Sequence, residues 1–196
     1  EFRRVLFRSI KMNQFLSLSF DDVSGDENFY YYKIVHCDFD WKRSRLLKSE
    51  YLDGNDNNLI EDMESSYGTL QRYTNYKLSL PNNDVSFKIS GNFKLEILDA
   101  DDNIILERKF LILNEKLSVD LNVYPSQNKD RFYTHQNVQF IINTSGYKIR
   151  NPNNDIKVVV LQNDQWDSSK IIFRPQFIEK DRLVYRYNDE SEFEGG

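Results

Sequence analysis

The sequence predicts an all-β protein, and three observations carry that expectation. Ala100 is the only alanine in 196 residues, whereas Tyr and Phe number 12 and 14, a usage that starves helices and suits strands. Apolar residues alternate with polar ones over short runs, separated by Asp, Asn, Gly and Pro turns, which is the period-two signature of half-buried strands. One run, Tyr30 to Cys37, is apolar enough to need cover on both faces, and Trp41 stands just past its end. A buried strand, a tryptophan beyond it and a short turn-back strand at Glu50-Tyr51-Leu52 match the middle of an immunoglobulin-like (fibronectin-like) β-sandwich.

The first nine residues, EFRRVLFRS, are set apart before any fold argument. Read back through the genetic code, residues 1–9 match a common sequencing-library adapter codon for codon, the mark of an artefact. They carry three Arg and one Glu, so the rest of the chain has a formal charge of −7 rather than −5. The native N-terminus, with any export signal, is therefore expected to be missing.

Gln14 to Phe20 alternates, with Leu16, Leu18 and Phe20 facing in, and Asp21 to Asp26 is turn chemistry. The central strand, Phe29 to Asp38, follows, with Lys33 as its one wet position. Trp41 is expected to plug the core. His36 and Cys37 are neighbours on a strand, so they point to opposite faces and read as core residues rather than as ligands sharing a metal.

Tyr73 to Leu80 is a further strand, ended by the turn Pro81-Asn82-Asn83-Asp84. Gly91 to Leu98 then pairs with Ile104 to Leu113 across Asp99 to Asn103 as a hairpin, with Phe93, Leu95 and Ile97 inward. Arg108 falls on the buried face of its strand and requires a partner or a place at the sheet edge. These strands compose a first sandwich over residues 10–114. The pattern restarts at Leu117 to Val123, continues through Val138, Phe140 and Ile142, and repeats the doubly apolar run at Ile156 to Gln162, with Trp166 following as Trp41 follows the first. Ile171 to Phe177 and Arg182 to Tyr187 are the last strands of this second sandwich, residues 115–196. It is expected to be truncated, lacking a closing hairpin.

The chemistry of the chain is sparse. It holds no nucleophile elbow, zinc-protease helix or phosphate loop, and His36 and His135 lie in different predicted domains, so no catalytic or cofactor-binding residue is named and no enzyme is expected. One cysteine, Cys37, excludes an internal disulfide and a multi-cysteine zinc site. Mild acidity without basic clusters argues against nucleic acid, and no run approaches the roughly 20 apolar residues of a membrane-spanning helix. Asp53 to Glu64 places oxygen side chains at Asp53, Asn55, Asn57, Glu61 and Glu64, the spacing of an EF-hand calcium loop. Asn58 stands where such a loop needs glycine, and a strand rather than a helix precedes it, so a polar surface loop is the expectation and no metal is assigned.

Tyr31-x-x-Ile34-x-His36-Cys37-Asp38-x-Asp40-Trp41, followed by Ser49-Glu50-Tyr51-Leu52-Asp53-Gly54, resembles the plug protein family of the type IX secretion system. The resemblance continues at Ile60-Glu61-Asp62, Tyr73-Thr74-x-Tyr76 and Ser90-Gly91-Asn92-Phe93. In the second unit it runs through Tyr133-Thr134-His135-Gln136, Asn151-Pro152-x-x-Asp155-Ile156 and Val160-Leu161-Gln162-Asn163-x-x-Trp166-Asp167. Asn55 stands in place of an aromatic and Asn75 in place of a histidine. The family's members are longer, so the C-terminus is expected to be cut as well. The resemblance implies a non-enzymatic periplasmic protein of Gram-negative bacteria, associated with the inner face of the outer membrane. Its partner would be the outer-membrane translocon barrel, whose idle channel it seals, with no nucleic acid, small-molecule substrate or cofactor; it names no partner-binding residue. The alternative is a carbohydrate-binding or accessory sandwich module of a cell-envelope enzyme, favoured by exposed tyrosines in a row, whereas a broad apolar patch favours a protein partner.

Overall fold

A computed structural model describes residues 8–195 except Asp26, Asp56, Asp164, Phe173, Tyr187 and Asn188. Strands dominate it, and its two α-helices have four residues each, so the chain is all-β with layered sheets. It divides into two compact units, Glu1–Asn114 and Glu115–Gly196. Most of the adapter-like segment, residues 1–7, lies outside the described residues. Arg8 and Ser9 begin the first strand, where main-chain pairing makes no demand on side-chain identity.

The first unit runs β1 (Arg8–Lys11), β2 (Leu16–Asp22), β3 (Tyr31–Cys37), α1 (Lys48–Tyr51), β4 (Leu52–Gly54), β5 (Asn58–Leu59), β6 (Met63–Ser65), β7 (Thr74–Leu80), β8 (Val85–Phe87), β9 (Gly91–Leu98) and β10 (Ile104–Leu113). Its main sheet has the order β1-β10-β9-β3-β5, a three-stranded sheet the order β2-β7-β6, and β4 pairs with β8. The pairing of β1 with β10 is parallel, and the other pairings are antiparallel.

One core joins the inner faces. From β2 and β7 come Leu16, Leu18, Phe20, Tyr76, Leu78 and Leu80, and from the main sheet Tyr32, Ile34, Phe93, Leu95, Ile97, Phe110 and Ile112. Phe93 is the hub: its ring stacks on Phe110 at 5.6 Å and meets Phe87 at 5.3 Å and His36 at 5.0 Å edge to face. A second aromatic group, Phe20, Tyr30 and Tyr76, closes the end of the sandwich near the β2–β3 turn. There the Asp22 carboxylate accepts hydrogen bonds from Ser24 N, Asn28 Nδ2 and the Tyr30 hydroxyl at 2.8 to 2.9 Å, which sets the entry of the central strand.

The hairpin β9–β10 is held by Asp99, whose carboxylate accepts from the backbone of Asp101 and Asn103, both at 2.9 Å. Ile104 is more than half exposed, because the register shifts between Ile104 and Leu106. Arg108 lies where β10 has run past β1, which reaches only from Phe110 to Leu113; the strand is a sheet edge there, and Arg108 donates to the Glu107 carbonyl at 3.0 Å. Trp41 is buried as the expected plug should be, but outside the main core cluster. Its backbone is left-handed (φ 61°), and Asp38 holds the turn by accepting from Asp40 N and Lys42 N. The ring lies 5.3 Å from Lys109 Nζ, and Lys109 alternates with buried Phe110. Trp41 is thus buried against the outer face of the main sheet, outside the main core.

The second unit runs β11 (Ser118–Pro125), β12 (His135–Asn143), α2 (Pro152–Asp155), β13 (Val158–Gln162), β14 (Gln165–Ile172), β15 (Phe177–Glu179), β16 (Arg182–Tyr185), a single 3-10 turn (Asp189–Ser191) and β17 (Glu192–Glu194). A sheet ordered β11-β12-β16-β15, with β17 also on β12, accompanies the two-stranded sheet β13-β14. Val138, Phe140, Ile142, Ile172, Leu183, Tyr185 and Phe193 form its core. Glu192 ties β17 to the turn after β11: it accepts from the Ser126 hydroxyl and, at 3.0 Å, from Arg131, and these bonds hold its carboxyl below the usual range. The parallel between Trp41 and Trp166 is not structural. Asn163 turns with φ 53°, so Trp166 lies inside β14, paired back towards β13, rather than beyond a strand end. The Ile156–Gln162 run is only half-buried, because a two-stranded sheet leaves one of its faces open.

Limited proteolysis is expected to cut near residue 115 and leave a folded fragment of residues 8–114. In that fragment Phe93→Ala is expected to lower the unfolding free energy by about 3–5 kcal/mol in urea titration. Equal resistance of both units to protease would contradict the inequality of their cores.

Candidate partner-binding surfaces

Two surfaces carry large apolar side chains that the fold leaves uncovered. In the first unit the segment between β6 and β7 folds into a closed loop. Ser66 N donates to the Tyr73 carbonyl and Tyr73 N to the Ser66 hydroxyl, both at 2.8 Å. The Thr69 hydroxyl lies 3.1 Å from that of Ser66 and donates to the Gln71 carbonyl at 2.6 Å. Polar side chains thus hold the loop from within, and its two large apolar residues, Tyr67 and Leu70, are left outside at 101% and 112% relative exposure. Two such residues fully exposed on a braced loop contribute no burial free energy to the fold, which leaves their apolar area available to a partner. At its base, Lys77 and Glu64 pair at 2.9 Å.

In the second unit β11 is an edge strand and every residue of it is exposed. Its register places Val119 opposite Ile142, Leu121 opposite Phe140 and Val123 opposite Val138. Those partners are buried, so the three β11 residues continue the core face sideways beyond its cover, each about half exposed. A long apolar edge with free main-chain groups is a ready template for pairing or packing. Neither surface was named from sequence. The available signals were Tyr67 and Leu70 inside a Ser, Gly and Thr stretch, and the strict alternation of Leu117, Val119, Leu121 and Val123 with Ser118, Asp120 and Asn122.

Of the five residues of the calcium-loop spacing, two lie on short strands of different sheets and three lie outside strands. Asp53 lies on β4 and faces Lys88 at 3.5 Å; Glu64 lies on β6 and is engaged by Lys77; Asn55, Asn57 and Glu61 are exposed between them. Asn58 is buried on β5, and its amide donates to the Asn55 carbonyl at 3.2 Å. Gly54 has φ 115°, and a Cβ there would meet the Asp84 carbonyl oxygen at 1.8 Å, so the Asp-Gly pair serves the β4–β8 contact. Among the described residues no group of three or more His, Cys, Asp or Glu is placed to hold a metal ion. His36 packs on Phe93 and Tyr51, while Cys37 is buried on the opposite face of β3. Burial lowers the His36 pKa, against a smaller opposing effect of Asp38, and raises that of the Cys37 thiol. Among the described residues no helix is long and apolar enough to cross a membrane.

Two measurements follow from this geometry. Calorimetric titration with calcium is expected to give no site tighter than about millimolar, the weak end for loops of this type; micromolar binding abolished by Glu64→Ala would contradict it. The lowered His36 pKa means the unfolded chain takes up a proton near pH 6.5 that the folded chain resists. Stability of the first unit is therefore expected to decline as pH falls below about 6.5 and to level off below the folded pKa, and His36→Gln is expected to flatten that slope.

Comparison with known proteins gives two findings. The family described as the first domain of the type 9 secretion system plug protein matches residues 5–114. A crystal structure of a hypothetical protein from Parabacteroides merdae superposes with a TM-score of 0.89 at 32% identity, over 96% of this chain and 48% of that one. The chain thus spans about half the length of that solved relative. No curated protein matches. With residues 5–114 matched, more than half of the chain, it belongs to the family of type 9 secretion system plug proteins.

Proposed function

We propose that this chain is the docking part of a non-enzymatic plug that binds the outer-membrane translocon of the type IX secretion system from the periplasm and seals its channel when idle. Family membership carries the reading. The physical requirements of such a seal agree with it. A seal needs preformed shape, which a sandwich with one continuous hydrophobic core supplies. It also needs reversible contact, served by a few apolar anchors in a polar surround rather than a wide greasy face. Tyr67 and Leu70 on their braced loop are the anchors of choice: they are prearranged, so little side-chain order is lost on docking. A formal net charge of −5, or −7 without residues 1–9, favours solubility of the free protein and discourages adsorption to anionic lipid.

The test uses the full-length protein in its native host. Deletion is expected to admit a large antibiotic that the outer membrane normally excludes, and affinity purification of the translocon is expected to recover the plug. Tyr67→Asp with Leu70→Asp should abolish that recovery. Unchanged permeability on deletion, with no recovery of the wild-type plug, would sink the reading.

A further inference from the structure

The outer face of the β11–β12 pair carries a groove of about 760 Å³ that docking of the plug does not explain. Along β11, Asp120, Asn122 and Tyr124 alternate with the apolar stripe and so point to this opposite face. The register sets Asn122 beside Gln139 of β12, and Arg186, just past β16, lines the same groove. Phe132, from the turn between β11 and β12, adds a second aromatic wall to Tyr124, and both rings are about half exposed.

The polar groups here are uncommitted. The side chains of Asp120, Asn122, Gln139 and Arg186 make no hydrogen bond or ion pair among the described residues. Elsewhere in the chain comparable groups lock turns or pair with a neighbour, as Asp22, Asp38 and Asp99 do. Two amides, a carboxylate and a guanidinium thus line one groove together with two aromatic rings, without a protein partner among the described residues.

We infer that this groove binds a neutral oligosaccharide. An amide offers an acceptor and a donor side by side, which matches neighbouring hydroxyls that each donate and accept. Aromatic rings cover the apolar C–H faces of a pyranose, and a groove with few precisely placed polar groups fixes its orientation. Asp120 and Arg186 offset one another, and the chain as a whole is acidic, so a polyanion is disfavoured. An extended peptide would use the free main-chain edge of β11 and its apolar face; the groove offers side-chain amides instead.

The experiment titrates this 196-residue chain with neutral tetrasaccharides of glucose, mannose and N-acetylglucosamine, by calorimetry and by tyrosine fluorescence. At least one is expected to bind with a micromolar to low millimolar Kd. Tyr124→Ala and Asn122→Ala are each expected to weaken it by about tenfold or more, with circular dichroism unchanged. Tyr67→Ala, which belongs to the docking surface, is expected to leave sugar binding intact, so the two readings fail separately. Absence of binding to all three sugars at millimolar concentration overturns the inference. So does binding indifferent to both groove variants, or a groove that takes an extended peptide instead.

Discussion

The first unit depends on one aromatic contact set, the rings that converge on Phe93. The hairpin β9–β10 brings Phe93 and Phe110 into a stack, and Phe87, His36 and Tyr51 close around them from three further elements. Each contact of this kind adds about 0.5–1.5 kcal/mol beyond the area it buries, and together they fix which faces of β3, β8, β9 and β10 are inward. Once those faces are set, the outward residues have no freedom. Lys33 must meet Asp102, Lys94 must meet Glu107, and Cys37 stays buried where its backbone bridges to Arg43 across the Trp41 turn. Gly91 shows how tightly the set closes, because a Cβ there would lie 2.7 Å from His36 Nε2.

Much of the first unit was legible in the sequence because its signals are local. The hairpin is readable from alternation plus an Asp-rich turn, and it forms with the bounds Gly91–Leu98 and Ile104–Leu113. Leu16, Leu18 and Phe20 face inward by the same logic. That Trp41 is buried is legible, but its place outside the main cluster turns on a left-handed backbone at a tryptophan, which no composition rule foresees. The stretch Asp53 to Glu64 has the composition of one polar loop, yet it is cut into β4, β5 and β6 by pairing with three other strands. Long-range pairing of two- and three-residue strands leaves no periodic trace.

The surfaces were the least legible part. A strand with Val119, Leu121 and Val123 reads as ordinary, half-buried β structure; only the sheet order reveals that it is an edge with its apolar face uncovered. The same strand carries Asp120, Asn122 and Tyr124 on its other side, so one eight-residue segment presents two chemically different faces. In the same way Tyr67 and Leu70 look like candidate core residues until the loop is seen to close through Ser66, Thr69 and Tyr73.

The parallel pairing of β1 with β10 has a mechanical consequence. The chain enters the unit at the start of β1 and leaves it at the end of β10, and the two strands lie side by side, pointing the same way. Tension applied between Ile10 and Asn114 therefore drags the two strands past each other along their length. Their hydrogen bonds are loaded together in shear instead of opening one after another.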